Sequence, residues 1–300
     1  MGLRASDSRP FCNGSMMNKS PFDDASPKQA GKNPWLFLTL LVLVTFFWPL
    51  ALLADESQKG RELAQRVYDR PTGADMTTRG SMILTEAGRS PRVRELVTYQ
   101  KDYGDGRIAT LIRFMSPGDI ADTGLLTLDH TDGTSDQWVY LPALGNSRRI
   151  PSGRQGGRFV GSDLLFEDLQ DRKVALDSHR WLETVDYEGV QAELIESIPL
   201  DPANSVYGKR LSWIHPEIAM PLRVDFYRPG ALEPEKRFTV QRVERVQGYW
   251  TETDSLMADL DSGHQTRLIA EMVLYDRELP DSLFSVRALE DPAQERAFRP

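Results

Sequence analysis

The chain has 300 residues, 40% hydrophobic and 27% charged, a balance that excludes a disordered chain and allows one or two domains. Net charge is −8; residues 1–54 carry five Lys or Arg and three Asp or Glu, so the remainder carries −10. An acidic domain argues against non-specific nucleic-acid binding, which depends on neutralising phosphates.

The single cysteine, Cys12, precedes the hydrophobic segment Trp35–Ala54, WLFLTLLVLVTFFWPLALLA. That segment is uncharged and follows Lys28 and Lys32, the order of a secretory signal. Pro49 breaks its helix, and Ala54 is a small residue at which cleavage is expected. Residues 1–54 then form a signal with a long n-region, Met16 or Met17 being an alternative start, and 55–300 one domain. The alternative is an inner-membrane anchor over 35–54, since about 20 apolar residues span a bilayer. Cleavage would leave no cysteine for a disulfide or thiolate metal site.

Leu63, Ala64 and Val67 recur at helical spacing and predict an amphipathic helix over Ser57–Asp69, with Gly60 weakening it. From Arg79 the period changes to two. Strands are expected at Gly80–Thr85, Val93–Lys101, Arg107–Met115, Gly124–Asp129, Gln137–Leu141, Arg180–Tyr187, Val190–Ile198, Tyr207–His215, Leu222–Tyr227, Lys236–Val246, Tyr249–Met257 and Thr266–Tyr275, with a short extended piece at Ser147–Ile150. Gly104-Asp105-Gly106, Asp132-Gly133, Glu188-Gly189 and Gln247-Gly248 supply tight turns, so the strands form an antiparallel meander. A short helix capped by Ser162 or Asp163 is expected over Asp163–Gln170.

Several strands are apolar on both faces. Trp138 and Tyr140 oppose Val139 and Leu141; Ile108, Ile112 and Phe114 oppose Ala109, Leu111 and Met115. With few helices to cover it, the sheet should curve strongly, and its concave side is either a cavity for an apolar ligand or a filled core. The four histidines are scattered, and no P-loop, G-x-S-x-G or H-E-x-x-H pattern occurs. Neither an enzyme nor a metal or cofactor is expected.

The segments DQWVYLPAL (136–144), Arg148-Arg149-Ile150 and GSDLLFED (161–168), with Arg113-Phe114, Gly124-Leu125-Leu126 before them and Tyr207, Trp213, Pro221-Leu222 and Tyr249-Trp250 after, resemble the outer membrane lipoprotein-sorting proteins, related to the carriers LolA and LolB. The resemblance spans roughly 57–290. Leu164-Leu165-Phe166 departs from it, where an aromatic and a polar residue are more usual. It implies a mainly β (α+β) fold: a curved, incompletely closed antiparallel β-barrel with a few helices as a lid over a hydrophobic cavity. It also implies a periplasmic, monomeric carrier of lipid or lipoprotein acyl chains, often beside an inner-membrane transporter of the RND/MMPL type. The alternative is an envelope lipid sensor on the same fold.

A carrier must bury acyl surface worth about 0.8 kcal/mol per CH₂. Phe114, Leu126, Trp138, Tyr140 and Trp213 are the candidate wall, plain core being the competing explanation. Arg148, Arg149, Arg154 and Arg158 are candidates for a head group at the mouth, against a solvated loop. Asp163, Glu167 and Asp168 read as helix capping, or as a latch pairing lid to arginine loop.

Overall fold

A computed structural model describes residues 55–300. The expected signal, its cleavage point and the alternative anchor lie outside the described residues. Among the described residues, no helix is long and apolar enough to cross a membrane.

Among the described residues, thirteen antiparallel strands form one sheet. They are β1 (Asp75–Thr85), β2 (Arg92–Asp102), β3 (Ile108–Ser116), β4 (Gly124–Asp129), β5 (Ser135–Leu141), β6 (Asn146–Arg149), β7 (Asp177–Tyr187), β8 (Val190–Pro199), β9 (Lys209–His215), β10 (Met220–Tyr227), β11 (Lys236–Val246), β12 (Tyr249–Asp259) and β13 (Gln265–Tyr275). In space the order is β6-β5-β4-β3-β2-β1-β13-β12-β11-β10-β9-β8-β7. The chain enters at the middle of the sheet and works outward to β6. It then crosses to the far edge at β7 and works back until β13 pairs with β1. The sheet does not close, because β6 and β7 each have one partner.

The sheet is nonetheless curled. Residues of β2 and β8 line one cavity, although they are seven strand steps apart in the sheet. Flat, that separation would be about 34 Å.

Alternation sorts each strand's side chains between two faces. On the convex face Val97, Tyr99, Leu111 and Leu126 pack with Leu279, Leu283, Phe284 and Leu289 of the C-terminal segment. That segment contains the short helix α2 (Val286–Glu290), capped by Ser285, whose hydroxyl accepts from the Ala288 N–H. Arg113 fixes it in place. Its guanidinium, wholly buried, meets the equally buried Glu295 at 2.6 Å and donates to the carbonyls of Leu289 at 2.7 Å and Asp122 at 2.6 Å. Gly124, paired with Arg113 across the ladder, leaves room for this, since a Cβ there would stand 2.8 Å from Nη1.

Two pieces of chain cover the concave face. The loop after β6 forms a plug: Phe159, Leu164 and Leu165 are buried among Met82, Leu84, Ile112, Phe114, Leu125 and Phe226. The Phe159 ring lies 5.6 Å from that of Phe114 and 6.1 Å from that of Phe166. The helix expected over Asp163–Gln170 is reduced to one 3-10 turn, Glu167–Leu169, without a side-chain cap. The carboxylates that would have capped it are used by tertiary bonds instead. The second cover is α1, residues 55–68, a roof whose Leu63, Ala64 and Val67 pack with Ile195, Ile214, Val174 and Trp181. Gly60 has a packing reason: a Cβ there would come within 2.6 Å of the Trp181 backbone nitrogen.

Candidate functional site

Between plug and roof lies a cavity of about 1130 Å³, above the roughly 300–1,000 Å³ usual for a pocket that holds a drug-sized ligand. Its apolar lining comes from Ala64 and Val67 of α1, Met76, Ile108, Ile195 and Ile214 of the sheet, and Val224 and Phe226 of β10. Phe226 also belongs to the plug cluster, so the plug packs behind this end of the cavity. At the other end the rim holds Gly104, Gly106, Tyr249, Trp250 and Tyr275. Strand register gives the length: Arg210 is level with Phe226, Phe226 with Lys236 and Lys236 with Asp259. Glu252, near the rim, precedes Asp259 by seven residues on β12, or roughly 20 Å.

Polar clasps hold the roof. The Lys59 ammonium sits 3.2 Å from Glu193 and over the Trp181 ring at 3.6 Å, while the indole N–H donates to the same carboxylate at 2.6 Å. Burial works against the Glu193 carboxylate, but these donors outweigh it and leave its pKa below the ordinary value. At the other end of α1 the Tyr68 hydroxyl donates to Asp171 at 2.8 Å, and Lys173 donates to both at 2.6 Å. Beyond the helix, Arg70 donates to the Trp250 carbonyl at 2.7 Å.

Around the plug runs a buried network that reaches the cavity at Arg210. The Glu167 carboxylate accepts from the Ser205 hydroxyl and the Val206 N–H, each at 2.6 Å, and from Arg210. Asp168 accepts from Tyr207 and from the Leu165 N–H, each at 2.8 Å. Burial pushes the Asp168 carboxyl and the Tyr207 phenol up, and the Lys236 ammonium, which donates to the Asp163 carbonyl at 2.6 Å, down. Asp163 is fully buried, 2.6 Å from His264 Nδ1, and accepts from Thr266 at 2.8 Å. Arg158 stands 3.5 Å from it and pairs with Asp259. These carboxylates therefore bind the plug to β9, to β13 and to the Ser205–Tyr207 stretch, and Asp163 also faces Arg158 of the same loop.

None of the five expected wall residues lines this cavity. Phe114 is core against Phe159. Leu126, Trp138 and Tyr140 face the convex side under the C-terminal segment. Trp213 alternates with the cavity-lining Ser212 and Ile214 and carries the Arg223 guanidinium 4.1 Å above its ring. The physical reason is that both faces of the sheet are covered, so an apolar side chain signals burial without saying which face. The four expected mouth arginines also lie off the lining: Arg148 and Arg149 are on edge strand β6, Arg149 paired with Asp136, and Arg154 is exposed in the loop. Sequence reading missed Arg70, Arg172, Lys173 and Arg210, the cations that do line the cavity. Their only sequence signal is position beside the first helix and the plug.

A family model described as "Uncharacterized protein" matches residues 106–291. The chain belongs to that family. Among solved structures it is similar to an outer membrane lipoprotein-sorting protein domain from Vibrio parahaemolyticus, with 28% identity and TM-score 0.74 over 78% of this chain and 99% of that one. A DUF1329 family protein from Desulfovibrio piger is 26% identical, with TM-score 0.74 over 78% and 99%. A LolA superfamily protein from Nitrosomonas europaea shares the fold at 17% identity, with TM-score 0.59 over 77% and 97%. Curated proteins gave no match. The resemblance to LolA/LolB-like lipoprotein-sorting proteins thus holds, and so does the open, curved antiparallel sheet it implies.

Proposed function

We propose that the protein is a non-enzymatic carrier that takes up a lipid, or the acyl chains of a lipid-modified protein, and delivers it across the periplasm toward the outer membrane. The observation that carries this reading is the cavity roofed by α1, apolar along α1 and the facing strands and polar elsewhere; the roof rests on the sheet through a small cluster and a few polar clasps. An acyl chain there gains about 0.8 kcal/mol per buried CH₂, and moving one helix opens a path for release. The likeness to a lipoprotein-sorting domain at 28% identity supports the same cargo class. Secretion as a monomer, with cleavage after Ala54, and an RND/MMPL-type inner-membrane transporter as donor complete the proposal.

The test is native mass spectrometry of protein purified from the periplasmic fraction without detergent, followed by lipid extraction. Expected is a polypeptide beginning at Asp55 with a discrete adduct that extracts as lipid. Ser212→Trp, which fills the cavity from β9, should lose the adduct while keeping its circular dichroism. A bare mass that takes up no offered phospholipid or acylated peptide would overturn the carrier reading.

A further inference from the structure

The cavity lining carries four cationic side chains: Arg70, Arg172, Lys173 and Arg210. Three are matched by carboxylates. Arg172 meets Asp177 at 2.7 Å, Lys173 meets Asp171 at 2.6 Å, and Arg210 meets Glu167 and, at 3.6 Å, Asp177. Arg70 has no carboxylate at ion-pair distance among the described residues. Its Nη1 donates to the Trp250 carbonyl. Its Nε is buried with no hydrogen-bond partner.

A half-buried guanidinium so placed is costly. Burial pulls the Arg70 pKa below its ordinary value, with Tyr275 and Glu252 opposing. Glu252, on the same stretch of wall, is not at ion-pair distance from Arg70, and burial pushes its carboxyl up. Arg70 also sits at the rim beside Trp250 and Tyr249, where the polar end of a ligand whose chain fills the cavity would lie.

We propose that Arg70 is the head-group site of the cavity, taking the oxyanion of an acidic amphiphile, a phosphate or a carboxylate, at the rim. The proposal rests on the carrier reading and names the chemical class of its cargo. A planar guanidinium presents Nε–H and Nη–H side by side to two oxygens of one oxyanion. With Nη1 engaged by the Trp250 carbonyl and no carboxylate at ion-pair distance among the described residues, the charge of Arg70 is the one on this lining left for a ligand. Uncharged lipid would leave that charge unmatched.

The experiment compares three probes with similar chains on the purified full chain: dioleoylphosphatidylglycerol, oleate and uncharged dioleoylglycerol. Uptake is read by native mass spectrometry and by displacement of a fluorescent fatty acid. The oxyanion-bearing probes should bind about tenfold or more tightly than dioleoylglycerol. Arg70→Gln should erase that margin and leave dioleoylglycerol uptake unchanged. Arg70→Lys, which keeps the charge, should retain part of the margin and serves if the glutamine variant does not fold. A margin for phosphatidylglycerol alone identifies phosphate as the partner, and a margin for both identifies either oxyanion. Equal affinity for all three probes, or a margin that survives Arg70→Gln, overturns the head-group site while leaving the carrier intact. No uptake of any probe overturns both.

Discussion

The plug and the roof cover the same face of the same sheet. The plug is core: Phe159 is fully buried against Phe114, and Asp163, Glu167 and Asp168 accept hydrogen bonds from Thr266, Ser205 and Tyr207 outside the plug. The roof is a helix with three buried residues, Gly60, Leu63 and Ala64, held at its ends by surface-reaching polar groups. One cover is bound through many desolvated contacts, and the other spans a void. The comparison teaches that stability and access are divided between them, since a segment that must move has to be drawn from the weakly held part of a structure.

The largest effect should come from removing the plug's anchor. Phe159→Ala leaves a hole among aromatic and aliphatic neighbours and should cost about 3–5 kcal/mol in chemical denaturation. The matching change in the roof, Val67→Ala, removes a half-buried side chain and should cost about 1 kcal/mol. Equal losses would erase the distinction.

Next is Gly60→Ala. Its Cβ would meet the β7 backbone at 2.6 Å, so the helix must shift, at about 1–3 kcal/mol. Hydrogen exchange should quicken over 55–68 and stay unchanged over 158–168. Uniform quickening would mean that roof and plug open together.

Acid should separate them more gently. The Glu193 carboxyl lies below its ordinary pKa in the folded chain, so its clasp contributes above the unfolded value, about 4.3, and is lost as pH falls through the folded value. The Asp168 carboxyl lies above its ordinary pKa because of burial, so protonation favours the folded plug as pH falls. From pH 6 to pH 3 the roof should therefore gain exchange relative to the plug, by less than about 1 kcal/mol for so exposed a pair. Glu193→Gln should flatten that difference.

Much of this fold could be read from the chain. The alternation in Leu222–Tyr227 and the turns at Gly104–Gly106 and Gln247–Gly248 place strands that differ from those observed by a few end residues. Helix α1 followed from Leu63, Ala64 and Val67. The two-faced burial of β3 and β5 was also visible, but its cause was not. The cover on the convex side is a C-terminal stretch of 3-10 turns and one short helix, which has too little periodicity to announce itself. Without that cover, Trp138 and Tyr140 point equally well to a cavity wall. The motif residues turn out to hold the structure together: Arg113 and Gly124 seat the C-terminal segment, and Asp163 and Asp168 seat the plug. The cavity itself is lined from many strands at once, a convergence set by register and curl and invisible to any local window.

The gap between β6 and β7 has a mechanical consequence. A closed barrel fixes its girth by strand number and stagger, and widening it means breaking a backbone ladder. Here the two unpaired margins are joined only by the stretch 150–176 that carries the plug. The sheet is a split ring, and a split ring can spread or tighten while every strand keeps its neighbour. Such a ring would grip occupants of different thickness with one set of walls.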